Sequence, residues 1–358
     1  MENVTTIGID TAKSVFQIHG SNSNGRRIFT KKVHRRDFLA FMANLHPCVV
    51  GMEACAGSHH WGRELEKLGH QVKLMAPQHV KPYVKTNKND VADAEACAEA
   101  VTRSTMRFVP IKTVVQQEMM MLHRVRERLV NERTALANQI RGFWTEHGIV
   151  FPQGVTRLLW HVAQATMEHQ ESLSGSFLAM MQQLVEEFSS KDKEIDRYSK
   201  MIEEQSRSNE QCKLLLSIPG IGAITASAIV AMVGNMQVFS NGRQFAAFLG
   251  LTPRQHSSGG KDRLGGITKR GDGYLRRLLV QGAHAVLRHR TSSKDPRAKW
   301  LDELIKRRGT CRSAVALANK NARIAWALLT RGERYTRKAA SEREEAVIQS
   351  LNACCLPA

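Results

Sequence analysis

Asp10 closes the apolar run Thr5-Thr6-Ile7-Gly8-Ile9-Asp10, and Glu53 closes a second, Val49-Val50-Gly51-Met52-Glu53. An apolar strand that stops at an acid delivers that acid to the end of a sheet. Asp90 and Asp93 stand three apart where a helical stretch opens, and acids at i and i+3 point the same way. Carboxylates that converge in this manner suit hard divalent cations such as Mg²⁺, which take oxygen ligands. Paired cations of that kind drive in-line displacement at phosphorus. The substrate expected is therefore a phosphodiester.

A second constellation lies far along the chain. Residues 250–272 form a glycine-rich basic stretch in which Ser257 and Ser258 precede Gly259-Gly260, amid Arg254, Lys261, Arg263, Lys269 and Arg270. A serine hydroxyl is a poor nucleophile at its free pKa and needs a base, a metal or charge stabilisation. Arginine and lysine supply that stabilisation for a transferring phosphoryl group, and glycines permit close backbone approach. The residues alone support equally a nucleophilic serine and a phosphate-binding loop whose serines only donate hydrogen bonds. His256 stands beside them, but nothing spells a Ser-His-Asp triad. Upstream, Ser217-Ile218-Pro219-Gly220-Ile221-Gly222 separates two apolar helical stretches. This is either the helix-hairpin-helix pattern, whose glycines (here Gly220 and Gly222) would admit a phosphate to a helix N-terminus, or a plain helix–helix turn.

The elements that must position these groups follow from periodicity. Residues 4–9, 15–19 and 27–33 read as a three-strand meander, with a turn at Ser21-Asn22-Ser23-Asn24-Gly25. A helix near 37–45, the strand ending at Glu53, a helix near 61–68, a strand at 71–75 and a helix at 90–103 complete a β-β-β-α-β-α-β-α order. That order is the RNase H-like one, in which the first and fourth strands bring their acids side by side. Residues 114–146 repeat Leu122, Val125, Leu129, Leu136, Ile140 and Phe143 at three and four, a coiled-coil or bundle seam. Residues 173–206 carry Phe177, Met181, Leu184, Phe188, Ile195, Tyr198 and Ile202 on one face, and Pro152-Gln153-Gly154 breaks the pair. Short helices at 223–233 and 244–249 and longer ones at 274–288 and 313–330 make the rest mainly α. The expected divisions are residues 1–110 for the α/β domain, 111–208 for a helical hairpin serving as spacer or dimer contact, 209–340 for the C-terminal domain and 341–358 for a polar tail.

Charge narrows the partners. The 358 residues carry 52 Lys and Arg against 33 Asp and Glu, a formal net charge of +19. Residues 251–340 alone hold 22 basic and 6 acidic residues. Such asymmetry calls for a polyanion, and nucleic acid fits best because each phosphate neutralised releases counterions. No apolar run approaches the roughly 20 residues needed to span a bilayer, and Met1-Glu2-Asn3 begins no signal peptide. The seven cysteines are scattered without zinc spacing, as expected of reduced thiols in a cytoplasmic protein; Cys354-Cys355 falls in the tail.

At these residues the chain resembles the transposases of the IS one-ten insertion-sequence family, relatives of the Piv DNA invertase, and more closely the branch called IS eleven-eleven. Gly8-Ile9-Asp10, Met52-Glu53-Ala54-Cys55-Ala56-Gly57, and Lys81-Pro82-Tyr83-Val84-Lys85-Thr86-Asn87-Lys88-Asn89-Asp90 with Asp93 match its RuvC-like domain. Ser217 to Gly222, Phe245-Ala246-Ala247-Phe248-Leu249-Gly250-Leu251-Thr252-Pro253-Arg254, and Ser257-Ser258-Gly259-Gly260 match its C-terminal transposase domain. The resemblance implies that Asp10, Glu53, Asp90 and Asp93 form a metal-binding quartet for Mg²⁺ or Mn²⁺. It implies that Ser258, the last serine before the glycine, is the nucleophile, with Ser257 its neighbouring alternative. It further implies cleavage of one DNA strand at a time through a 5′-phosphoserine link with a free 3′ hydroxyl, religation without ATP, and assembly as homodimers and homotetramers. Donor and target DNA would be selected by a noncoding guide (bridge) RNA, in a nucleoid-associated bacterial protein.

Three other readings compete. A RuvC-like junction nuclease would use the carboxylates and water, leaving the Ser-Gly-Gly loop as backbone binding. A sugar-kinase-like ATPase also begins with strand-Gly-Ile-Asp, but needs later glycine-rich nucleotide motifs where this chain has long helices. A non-catalytic RNA-binding protein leaves the four acids unexplained, since uncompensated acids repel the ligand.

Overall fold

Period-two alternation sorts the first strands into two unlike faces. In β1 (Thr6–Thr11) Ile7 and Ile9 point one way, and Thr6, Gly8 and Asp10 the other. In β4 (Val49–Glu53) Val50 and Met52 oppose Val49, Gly51 and Glu53. The computed structural model describes residues 4–85, 89–289 and 297–336. Its chain forms two compact units, residues 1–117 with 233–235 and residues 118–232 with 236–358.

The first unit is built on a six-stranded sheet in the order β3-β2-β1-β4-β5-β6. β2 (Val15–Ser21) and β3 (Arg27–His34) complete an antiparallel meander with β1. A helix α1 (Phe38–Ala43) leads into β4, which runs parallel to β1. Helix α2 (Ser58–Lys67) crosses to β5 (Gln71–Met75), parallel to β4, and the short α3 (Pro77–Val80) follows. Helix α4 (Asp90–Val101) returns along the sheet before β6 (Phe108–Val109) pairs antiparallel with β5. Ile7, Ile9, Phe16, Ile18, Val50, Met52 and Leu74 bury their face of the sheet against Phe38, Met42, Trp61 and Leu65 of α1 and α2. Phe16, Phe38 and Trp61 meet edge-on, with centroids 4.6 to 5.2 Å apart, the geometry their ring quadrupoles prefer.

The opposite face is covered by α4, and two glycines let it in. Gly8 and Gly51 are register partners on β1 and β4. A Cβ on Gly8 would lie 2.1 Å from the Ala94 carbonyl oxygen, and one on Gly51 would lie 2.8 Å from that of Cys97. The helix answers with small residues, Ala94, Ala98 and Cys97, all buried. Asn89 caps it, its side chain accepting a hydrogen bond from the Ala92 N–H at 2.8 Å, as an N-cap Asn does.

The second unit is helical. The 33-residue α5 (Val114–Glu146) and the 34-residue α7 (Gly175–Ser208) are the long helices expected. Leu136, Ile140 and Trp144 pack with Phe177, Met181 and Phe188, and Arg133–Asp192 and Lys191–Glu132 ion pairs tie the two helices together. Between them stands α6 (Leu158–His169), which the sequence reading left as a break. Its Leu158, Val162 and Ala165 enter the same core. There follow α8 (Glu210–Leu216), α9 (Ala223–Val233) and α10 (Gly242–Phe248), then two strands inside the stretch expected to be a loop, β7 (Pro253–Gln255) and β8 (Leu264–Ile267). Helices α11 (Gly273–Arg288), α12 (Arg297–Arg308) and α13 (Thr310–Arg331) complete the unit; α12 also escaped the sequence reading. The expected tail, 341–358, lies outside the described residues. Among those described, no helix is long and apolar enough to cross a membrane.

One buried polar chain pins α5, α9 and α11. The Ser227 hydroxyl donates to the Ala223 carbonyl at 2.9 Å. Ser227 Oγ is therefore left to accept from His123 Nε2 at 3.0 Å, and His123 Nδ1 to accept from the Tyr274 hydroxyl at 3.0 Å. Burial, then Arg126 and Arg124, hold His123 down at about 4. The unfolded chain, whose histidine titrates near 6.5, then binds more protons than the native one between those values. The stability this neutral histidine contributes is full above pH 6.5 and is lost as pH falls toward 4.

Two measurements follow from this packing. Gly8→Ala should cost about 2–3 kcal/mol in urea unfolding, as overpacking against fixed backbone does. Gly142→Ala, on an open stretch of α5, should stabilise by about 0.5–1 kcal/mol. His123→Gln should unfold more easily at pH 7, yet lose less stability than wild type between pH 6.5 and 5.

Candidate active site

Asp10 and Glu53 leave the ends of adjacent parallel strands, each one residue beyond the last paired residues, Ile9 and Met52. Both lie on the face that α4 covers, half-buried. Because Ala94 and Ala98 seat on Gly8, the first turn of α4 arrives at the same sheet end, bringing half-buried Asp93 and exposed Asp90. Asp10, Glu53 and Asp93 thus gather toward the N-terminal turns of α4, with exposed Asp90 opening that helix; the partial positive charge there favours anions.

The buried Cys97 thiol reports their convergence. Its pKa is driven far up, first by burial and then by the negative charges of Glu53, Asp10 and Asp93. Three of the four acids therefore act on one sulfur from three elements. Among the described residues, no three His, Cys, Asp or Glu side chains stand together as a ready metal cage. Like charges repel, and a cation or a proton between them would offset that repulsion. The all-oxygen donor set on two strand ends and one helix turn fits a hard divalent ion. At the rim, the Thr11 hydroxyl and Cys55 Sγ lie 3.1 Å apart.

The serines sit on the β7–β8 hairpin of the second unit. The Lys261 N–H donates to the Ser258 carbonyl at 3.1 Å across Gly259 and Gly260, whose φ values are +56° and +75°. Two positive φ angles mark a type I′ turn, which only glycine-like residues adopt without strain. The two hydroxyls differ. Ser257 Oγ accepts from Gln255 Nε2 at 3.0 Å and from the Arg263 N–H at 3.3 Å. The Ser258 hydroxyl makes no hydrogen bond among the described residues, and both serines are exposed. Neither is hydrogen-bonded to a histidine or carboxylate among the described residues.

The base of this hairpin is rigid. Gly250 (φ +69°) and Gly271 (φ +78°) let its two ends meet: a Cβ on Gly271 would lie 1.8 Å from the Phe248 carbonyl oxygen. Arg276 donates to the carbonyls of Leu249 and Arg270 at 3.0 and 3.1 Å. Arg254, Lys261, Arg263, Lys269 and Arg270 all remain exposed along it, and Lys269 takes a positive φ of 56°. The helix-hairpin-helix glycines part company. Gly220 (φ +93°) is packed against α11, its carbonyl 1.9 Å from where a Gly282 Cβ would be, while Gly222 is exposed with open space around it. Asn321 Nδ2 donates to the Pro219 carbonyl at 3.0 Å, and Asn321 Oδ1 accepts from Arg297 at 2.8 Å. Gly220 thus serves the fold, and the approachable helix end is that of Gly222.

Sequence reasoning missed Asn89, Cys97, Gln255 and Arg276. Only Asn89 had a readable signal, an Asx residue directly before a helix that opens with acids. The others act through contacts between residues distant in sequence or across a hairpin that was not foreseen.

Residues 7–148 match the DEDD_Tnp_IS110 family model, described as a transposase. Residues 212–298 match the model described as the transposase IS116/IS110/IS902 family. The "Probable family 20 transposase" of Pseudomonas aeruginosa is 46% identical over 336 residues, covering 93% of this chain and 99% of that protein. The transposase for insertion sequence element IS1111A of Coxiella burnetii is 44% identical, with 94% of this chain and 92% of that one covered. The transposase for insertion sequence element IS1328 of Yersinia enterocolitica is 41% identical, over 94% of this chain and all of its own length.

Thermal unfolding should therefore respond to divalent cations. At a hundredfold excess over the dissociation constant, Mg²⁺ or Mn²⁺ should stabilise by about 2.7 kcal/mol, a rise of several degrees. Asp10→Asn, Glu53→Gln and Asp93→Asn should each remove that rise.

Proposed function

This chain belongs to the IS116/IS110/IS902 family of transposases, enzymes that cleave and transfer DNA strands, and from that premise we propose a serine-based mechanism of strand exchange. The Ser258 oxygen attacks the scissile phosphorus, forming a Ser258 Oγ–P bond as the P–O3′ bond of the DNA breaks. The hydroxyl proton leaves Oγ, a proton reaches the departing oxygen, and the products are a 5′-phosphoserine link and a free 3′ hydroxyl. Attack by another strand's 3′ hydroxyl on the same phosphorus restores the phosphodiester and frees the serine. No ATP is consumed, because one phosphoester replaces another at each step.

The observation that carries this reading is the contrast on the hairpin: Ser257 is tied by two hydrogen bonds while the Ser258 hydroxyl is unengaged. Arg254, Lys261 and Arg263 lie within a few residues and offset charge gathering on the phosphoryl oxygens. Asp10, Glu53, Asp90 and Asp93 would hold the divalent cation, Mg²⁺ or Mn²⁺, whose charge stabilises the pentacoordinate phosphorus when bound. The strand order β3-β2-β1-β4-β5, with acids on the central pair, supports an RNase H-like (RuvC-like) assignment for residues 1–110. Residues 209–340 act as the DNA-joining domain, and residues 111–208 as the contact that makes dimers and tetramers.

Partner choice follows from charge. A net charge of +19 suits donor and target DNA together with a noncoding guide RNA, since a basic surface reads backbone while base pairing reads sequence. The exposed Gly222 end of α9 offers backbone N–H groups to a phosphate.

Protein recovered under denaturing conditions from cells carrying the complete element should bear covalently attached DNA. Ser258→Ala should abolish the adduct and Ser257→Ala should retain it. Strand breaks with free 5′ phosphates and no adduct would instead favour a junction nuclease working with the carboxylates and water. Removing the helical hairpin, residues 114–206, should shift the protein to monomer in light scattering; a deletion that stayed dimeric and active would contradict its role.

A further inference from the structure

A cavity of about 860 Å³ opens at the opposite end of β1 from the acids, between the β2–β3 turn and the C-terminal half of α4. Its walls combine Thr6, His19 and Ser21 of the sheet with Arg26 and Arg27 of the turn and Lys85, Glu95, Glu99 and Arg103 on the helix side. Four cations face two acids there, a net of two positive charges. The C-terminal dipole of α4 opposes with about half a negative charge, so the cleft stays cationic.

Two of the cations are ion-paired on the helix side, Lys85 also meeting Glu95 at 3.6 Å, and the two on the turn carry the net charge. Glu99 positions Lys85 at 2.8 Å and Arg103 at 2.5 Å. Arg26 and Arg27 form no ion pair among the described residues and are exposed. The turn that carries them is fixed by Asn22, whose Oδ1 accepts from the N–H groups of Asn24 at 3.1 Å and Arg26 at 2.9 Å. A fixed turn loses little entropy on binding. The wall also holds an unmet hydrogen-bonding group: His19 is 5% exposed, and its Nδ1 is buried without a hydrogen-bond partner among the described residues. Burial keeps this histidine below its ordinary range and so neutral. An uncompensated buried polar atom is costly, and a small shift of the wall that admits a ligand oxygen to an Nδ1–H would relieve it.

We propose that this cleft binds the phosphodiester backbone of a nucleic acid strand, a contact separate from the acid cluster and from the serine hairpin. It rests on the reading of this chain as a nucleic-acid enzyme and adds a second anchor within the α/β unit. α4 links the two places. Its 12 residues span about 18 Å at 1.5 Å each, about five nucleotides at 3.4 Å per step. A strand gripped at Arg26 and Arg27 is therefore registered a few nucleotides from the carboxylates.

The test uses the full chain carrying the photo-cross-linker p-benzoylphenylalanine in place of exposed Asn24, with labelled DNA and RNA oligonucleotides in separate arms. A cross-link to either polymer, diminished at least fivefold by Arg26→Ala/Arg27→Ala, is the expected result, and the arm that labels identifies the source. The same double variant should lower the slope of log affinity against log salt by about 1–2, and His19→Phe should weaken the cross-link with that slope unchanged. Cross-linking to neither polymer while overall binding persists would overturn the proposal, as would an undiminished cross-link in the arginine variant. Asp10→Asn should keep the cross-link while losing strand cleavage, so failure of the cleft and failure of the proposed catalysis read separately.

Discussion

The close seat of α4 on β1 and β4 is the constraint on which the first unit depends. Two strands can end in acids anywhere in a sheet, but a helix bearing two more must come within backbone distance to join them. Paired glycines at one register position, faced by alanines and a cysteine, remove the side chains that would hold the helix off. Most large apolar side chains of β1, β2 and β4 are on the other face, where the Phe16–Phe38–Trp61 cluster anchors the sheet, while Met75 and Val101 form a smaller core beside α4. The sheet is thus asymmetric by design: one side supplies stability through burial, the other sacrifices burial for proximity.

A comparable division governs the hairpin of the second unit. Its base is fixed by glycine–carbonyl approaches and the Arg276 clamp, and its neck by Ser257. At the tip the turn is closed by the Lys261 N–H on the Ser258 carbonyl, and the Ser258 hydroxyl is unengaged among the described residues. Under the proposed mechanism the backbone is placed in advance while the Ser258 hydroxyl stays uncommitted until substrate arrives. Acid cluster and hairpin also carry opposite charge, which suits a polyanion that needs cations beside the acids and basic side chains elsewhere.

Much of this was legible in the sequence because alternation and chain termination are local signals. The runs ending at Asp10 and Glu53 announced their strands, and the i, i+3 acids announced α4. The three- and four-residue spacing from Leu122 to Phe143 announced α5. What escaped had nonlocal causes. Helix α6 hides behind Pro152 and Gly154, and only its burial against Trp144 and Phe177 shows that it belongs to the core. The β7–β8 hairpin lacks alternating apolar residues, because both strands are largely exposed and pairing rather than burial defines them. Gly220 read as a phosphate contact since glycine in a Pro-Gly-Ile-Gly turn has two uses, and only Gly282 opposite it decides between them. The preference for the Ser258 hydroxyl over Ser257 came from resemblance, and the residues alone had left it open.

The buried chain from Ser227 through His123 to Tyr274 has a consequence for biosynthesis. His123 and Tyr274 are separated by 151 positions. At 5–20 residues per second, roughly 8–30 s pass on the ribosome between the appearance of the first and that of the second. All strands of the acid-bearing sheet lie before residue 110 and can pair during that interval. The helical unit cannot close its polar pin until most of the chain has emerged. The α5–α7 seam, complete by residue 188, can close earlier, but the faces of α5 and α9 that meet α11 stay open to chaperones, and to neighbouring nascent copies, until Tyr274 has emerged.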